Sequence, residues 1–221
     1  MISHVNIPGH SESLKTIDRE LGYNKKKEIF ISEHYTKYHT DKRRPPAWKT
    51  LEILSLGTLS KLYSNLKNSC NSKDIIAKDY GTANHTYLHS WLQTFTQIRN
   101  ICAHHGRLWN KNLPGRPKLL SSPPSSWVKN VPPVLEHHML YVHLCCMKYL
   151  FNVIHPGNNF TYRLYVLLKK YPNIDINALG MKKGWSKEPL WNNKLQFGTI
   201  IRPTIYKATY LRSRIKKQVI G

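Results

Sequence analysis

Apolar residues recur along much of this chain at steps of three and four, the spacing that lines one face of a helix. Ile53, Leu56, Leu59, Leu62, Tyr63 and Leu66 predict a helix over 52–66. Leu88, Trp91, Leu92, Phe95, Ile98 and Cys102 predict a longer one over 87–105, with Gly106 as its left-handed end or a kink. A third runs over 134–154 and stops at His155-Pro156-Gly157, and a fourth over 160–170 stops before Pro172. Shorter helices are expected over 72–80, ending at Gly81, and over 25–38, with Ile29, Phe30 and Tyr38 as core contacts. The second of these breaks at Asp41-Lys42-Arg43-Arg44-Pro45-Pro46, because the residue before a proline is pushed out of the helical region. Strand-like alternation is sparse, and its best instance, 197–201, stands alone. The pattern predicts an all-α fold, a helical bundle with an irregular C-terminal extension.

Punctuation divides the chain further. Pro8, Gly9, Ser11, Ser13 and Gly22 make residues 1–24 read as a loose lead-in with at most one short helix. Residues 25–192 form the helical domain, interrupted by a long Pro- and Ser-rich loop after Gly106. Residues 193–221 form a basic tail with Arg202, Lys207, Arg212, Arg214, Lys216 and Lys217.

Charge narrows the function classes. With 34 Lys and Arg against 12 Asp and Glu, the formal net charge is +22 over 221 residues. Such an excess repels itself in the folded state and is usually retained for a polyanionic partner. Nucleic acid is the first choice and an anionic membrane the second; a solvated basic surface is the bland reading. No apolar run approaches the roughly 18 to 20 residues a spanning helix needs, so no membrane partner is expected. The N-terminus shows no secretory pattern, and Cys70, Cys102, Cys145 and Cys146 form no disulfide framework. A cytoplasmic location is the economical expectation.

The chemistry concentrates in one string. Residues 97–110 read Gln-Ile-Arg-Asn-Ile-Cys-Ala-His-His-Gly-Arg-Leu-Trp-Asn. On a helix, Asn100 and His104 share a face, Arg99 can swing its long fork onto it, and Ile98 and Cys102 point to the bundle. His104 can give or take a proton near neutral pH. Arg99 can bind a phosphate and stabilise the charge that grows on it. Asn100 can orient either group. RNA supplies its own nucleophile, the 2′-hydroxyl, so this reaction calls for no metal and no cofactor. One histidine is thin for acid–base work; a second group comes from His105 or from the second copy in a symmetric homodimer. The plain alternative makes Arg99 a helix-end cation and His104 a cap.

These residues resemble a known family. Arg99-Asn100-x-x-x-His104 matches the R-x4–6-H motif of the HEPN superfamily of ribonucleases. The longer string through Asn110 resembles its abortive-infection (Abi) branch. So do Pro46-Ala47-Trp48, Glu52, the run from Ser55 to Tyr63, and the late Met181–Trp191 region. The resemblance covers roughly residues 30–192. It implies a HEPN-like helical bundle and metal-independent RNA cleavage by a dimer. It also implies a role in phage defence or as a toxin, with an antitoxin or a small RNA as a further partner. Against that branch, the chain is expected to be shortened at its N-terminus.

Around this centre His105, Arg107, Trp109, Asn110 and Glu52 are accessory candidates. Lys111, Arg116 and Lys118 are read as RNA-backbone contacts. Trp109 suits base stacking, although such a residue more often anchors a loop on the core. Glu52 suits pairing with a basic site residue, or simply the start of a helix. His137, His138, His143, Cys145 and Cys146 invite a zinc reading, but no metal-binding spacing is present and the stretch reads as core. The expected activity is a metal-independent endoribonuclease. The alternative is a non-catalytic RNA-binding module or a protein-binding defence scaffold.

Overall fold

The computed structural model describes residues 7–24, 28–40, 44–69 and 71–192. Among these residues there are eight α-helices and no strand, so the chain is all-α. The tail 193–221, its basic residues and the strand-like stretch 197–201 lie outside the described residues. The described helices fall into two compact units, one up to Lys73 and one from Asp74.

The first unit opens with α1 (Ile7–Asn24), a helix of 18 residues where the punctuation predicts a loose lead-in. Pro8 falls in the first turn, where its missing N–H costs nothing. Leu14, Ile17 and Leu21 follow at helical spacing; Ile17 and Leu21 are buried against Ile31 and Leu54. α2 (Ile29–Lys37) contributes Ile31, with no exposed surface, and the half-buried Phe30. Ile29 and Tyr38, expected as core contacts, are exposed at 74% and 45%.

The single helix expected over 52–66 is two, α3 (Ala47–Ile53) and α4 (Leu56–Asn65). Leu54 takes an extended conformation and is buried, and Ser55 starts α4 as its N-cap. Its Oγ accepts the Thr58 N–H at 3.2 Å, which satisfies an N–H that has no partner inside the helix. The Glu20 carboxylate on α1 then accepts from both the N–H and the hydroxyl of Ser55 and from the Thr58 hydroxyl. These bonds outweigh the burial of Glu20 and hold its carboxyl below the usual range. At the far end of α4, Lys73 is almost fully buried. Its ammonium donates to the Ser64 and Leu66 carbonyls and to Asn68 Oδ1 at 2.9–3.1 Å. All three of its protons are thereby used, two of them on carbonyls at the open end of α4.

α5 (Asn71–Asp79) leads into the second unit and stops at Gly81, φ 73°. A Cβ at Gly81 would lie 2.9 Å from Val153 Cγ2, and the Gly81 carbonyl accepts the Tyr149 hydroxyl at 2.7 Å. Asn84 then caps α6 (His85–Ala103), its Oδ1 accepting the Thr86 N–H at 2.9 Å. α6 packs on α7 (Leu140–Ile154), and α7 on α8 (Phe160–Lys170). Residues 134–139, expected at the head of the third long helix, instead form a short 3-10 turn and an extended Met139.

The core of this unit is aromatic. Trp91 of α6 stacks on Trp127 at 6.2 Å, with Tyr149 of α7 edge-on to both. Trp191 stacks on Tyr141 and Phe160 and meets Trp185 edge-on. Met181, Leu190 and Trp191 are buried, so the late Met181–Trp191 block is core. The long loop after α6 is not loose: Leu113, Pro117, Leu120, Trp127 and Val128 are buried, and the Lys118 carbonyl accepts the Trp91 indole N–H at 2.7 Å. Lys148 is wholly buried among these helices. Burial pushes its pKa down to about 8, and its ammonium donates to Asn158 Oδ1 at 3.1 Å.

Candidate functional site

α6 ends in a hydrogen-bonded reversal, and the polar trio sits on it. The helix stops at Ala103, two residues before the expected end. His104 is the cap residue (φ −95°, ψ 20°) and its N–H still bonds the Asn100 carbonyl at 3.0 Å. The His105 N–H then bonds the Cys102 carbonyl at 3.0 Å, and the Gly106 N–H reaches back to Ile101 at 2.7 Å. This pair of bonds is the Schellman ending, which satisfies carbonyls the helix would otherwise leave open.

The left-handed residue of that ending is His105, φ 55°, and not Gly106 as its residue type suggests. Gly106 is needed for another reason. A Cβ there would lie 2.8 Å from Ile101 Cγ2 and 2.9 Å from the Ile101 carbonyl oxygen. The strain of a left-handed non-glycine residue falls directly beside His104, a placement common at functional sites. His105→Gly should therefore raise the unfolding midpoint, by up to about 1 kcal/mol of stability. An unchanged or lower midpoint in thermal unfolding would show that His105 carries no strain.

Arg99, Asn100, His104 and His105 are all exposed. The Arg99 guanidinium donates from Nη1 to Asn100 Oδ1 at 3.2 Å, so Asn100 steers Arg99 across the helix surface. Because His104 sits one turn beyond Asn100, the three groups form one patch at the helix end. Ile98 is buried beneath the patch, as expected, whereas Cys102 is exposed on the solvent side. Such a patch can bind a phosphate, orient it and exchange a proton with it.

The accessory residues divide. Arg107 lies over the Trp109 ring, its Cζ 5.8 Å from the ring centre. Trp109 donates its indole N–H to the Asp175 carbonyl at 3.3 Å yet keeps 37% of its surface open, so it is both tethered and accessible. Asn110 turns the chain at φ 48°. Lys111, Arg116 and Lys118 are exposed along the loop that follows. Glu52 is exposed on α3 in the first unit.

The zinc reading finds no support among the described residues, where no group of three potential metal ligands converges. His143 is buried, and both ring nitrogens lie 3.0 Å from carbonyls, those of Met139 and Gly115. Burial dominates and holds its pKa below the usual value. Cys145 and Cys146 are buried too; desolvation pushes the first up to about 12 and the second well above the ordinary thiol range, so both stay protonated and unreactive. No helix among the described residues is long and apolar enough to cross a membrane.

Sequence reasoning missed Lys170 and Tyr171. They line a cleft with Trp109, and the only local signal was the proline that ends α8. A larger cleft, lined by Ser126, Lys129, Asn130 and Glu188 among others, has its one acid engaged. The Glu188 carboxylate accepts the Lys129 N–H at 2.6 Å and the Asn130 side-chain amide.

Comparison with known proteins adds one finding. No curated protein and no solved structure matches the chain. The model of the Abi-like protein family does match, over residues 2–110. The matched stretch begins well before residue 30, where the resemblance read from the sequence starts, and stops short of the Met181–Trp191 block. It ends on Asn110 and takes in the whole of α6 and the Arg99–His104 patch. The match covers just under half of the chain.

Proposed function

We propose that this protein is a metal-independent endoribonuclease of the abortive-infection or toxin type, with its centre at Arg99, Asn100 and His104. The observation that carries the reading is the placement of these three exposed residues on one hydrogen-bonded helix end, inside the stretch matched to the Abi-like family. The R-x4–6-H resemblance to HEPN ribonucleases and the net charge of +22 support it.

In this mechanism the RNA 2′-oxygen attacks the adjacent phosphorus while a base takes the 2′-hydroxyl proton. The bond from phosphorus to the 5′-oxygen breaks, and an acid gives that oxygen a proton. A 2′,3′-cyclic phosphate and a free 5′-hydroxyl result. Arg99, steered by Asn100, binds the phosphate and stabilises its growing charge. His104 performs one proton transfer. The patch is open on the surface of one chain, so a homodimer that sets two α6 ends face to face supplies the other histidine. The enzyme acts in the cytoplasm, held in check by an antitoxin or a small RNA. Its affinity for RNA falls steeply with salt, because phosphate contacts by lysine and arginine carry it.

The test is incubation of the purified protein with end-labelled RNA in excess EDTA. Cleavage to cyclic-phosphate ends is the expected result. Intact RNA alongside folded, RNA-bound protein would favour a non-catalytic binding module. Intact RNA with no retention would favour a scaffold for a protein partner.

A further inference from the structure

Just beyond the α6 end lies a cleft that the reaction above does not use. It measures about 370 Å³ and is lined by Trp109, Lys170, Tyr171, Pro172, Asn173 and Ile174. Two aromatic rings border it, each with a cation beside it. The Arg107 guanidinium lies 5.8 Å from the Trp109 ring centre, and the Lys170 ammonium 5.4 Å from that of Tyr171. Both rings remain accessible, Trp109 at 37% and Tyr171 at 47%.

We propose that this cleft is a base-binding subsite, which holds one unpaired base of the RNA strand against Trp109 and Tyr171. The inference rests on RNA being the ligand, and it adds a place on the strand to that reading. An aromatic ring offers a flat apolar face to any base, and a neighbouring cation meets the phosphate that travels with it. The cations also exclude the other common guest of aromatic clefts, a quaternary or methylated ammonium group, which they would repel. No acid lines the cleft, and the nearest in sequence, Asp175, turns its carboxylate to the backbone and side-chain N–H groups of Asn177.

The platform is also fixed in advance. The Asp175 carbonyl holds the Trp109 indole, so its ring does not have to be ordered when a base arrives. Trp109 lies five residues beyond His104, a span of at most about 18 Å. The held base therefore sits within a few nucleotides of the bond at His104, and the cleft sets how the strand lies across the patch.

The experiment uses the full chain and a fully 2′-O-methylated RNA oligonucleotide, which has no free 2′-hydroxyl and cannot be cut. Tyr171→Ala should weaken its binding roughly five- to hundredfold, the range for loss of one stacked base. Trp109→Phe keeps a ring and gives up the indole tether to Asp175, so it should lose only part of the affinity that Tyr171→Ala loses. Removing a single base at the right position of the oligonucleotide should weaken binding to the wild type. The same removal should cost Tyr171→Ala less, because only the contact with Trp109 is left to lose. Wild-type affinity in a folded Tyr171→Ala protein would overturn the subsite, as would an equal abasic penalty in both proteins. Cleavage of unmodified RNA in EDTA is scored separately. Cutting without any dependence on Tyr171 sinks the cleft and keeps the nuclease. Ring-dependent binding without cutting does the reverse, and absence of RNA binding overturns both.

Discussion

His104→Ala should slow RNA cleavage by a factor of about 10² to 10⁴, the usual share of a positioned acid or base. The fold should be untouched. His104 is exposed, and the helix end uses its backbone N–H, which alanine keeps. Its loss should therefore change stability by no more than about 0.5 kcal/mol. Arg99→Ala should be as severe. Arg99→Lys should recover only part of the rate, because lysine keeps the charge and loses the planar fork that Asn100 steers. The double variant should be little worse than either single one, since groups that act together on one transition state are not additive. The measurement is the single-turnover rate in EDTA with equal RNA saturation. A His104→Ala protein that cuts at the wild-type rate would take the proton transfer away from His104.

Trp91→Ala should produce the largest loss of stability in the second unit, about 3 to 5 kcal/mol. Trp91 has no exposed surface, stacks on Trp127 and meets Tyr149 edge-on. Its indole N–H also ties α6 to the Lys118 carbonyl, so truncation strands that acceptor as it opens a cavity. Against a typical total of about 5 to 15 kcal/mol, this removes roughly a fifth or more of the stability of a domain. Trp109→Ala should cost far less, because that ring is only partly covered. Urea unfolding followed by circular dichroism distinguishes the two. A Trp91→Ala midpoint close to wild type would mean that the loop and not the tryptophan holds α6 in place.

The helices that carry the site were legible because each has a regular apolar stripe and a clear stop. Phe160–Lys170 coincides with its sequence expectation, and α6 starts and ends within two residues of it. The adjacency of Arg99, Asn100 and His104 follows from helical spacing alone. The misreadings have local causes. The apolar period runs straight through Leu54 and Ser55, so periodicity could not show that the Ser55 hydroxyl, backed by Glu20, starts a new helix there. Pro8 and Gly9 outweighed Leu14, Ile17 and Leu21 in the reading of 1–24, although a proline in the first turn opens a helix as readily as it ends one. Gly106 looked like the left-handed residue, and the backbone bonds assign that conformation to His105 instead. The cleft between Trp109 and Tyr171 was invisible in principle, because only the tertiary fold brings Asp175 and its neighbours to Trp109.

The two hidden lysines give the chain a pair of internal clocks. Amine-reactive reagents label lysine side chains whose nitrogen meets solvent, and most of the described lysines are exposed. Lys73 and Lys148 are not: one is spent on a helix end and the other is sealed between helices. Each can be modified only when its surroundings open, so its labelling rate reads the frequency of that opening. Because one belongs to the first compact unit and the other to the second, the two rates report separately on each. A partner that clamps one unit alone would slow one clock and leave the other running.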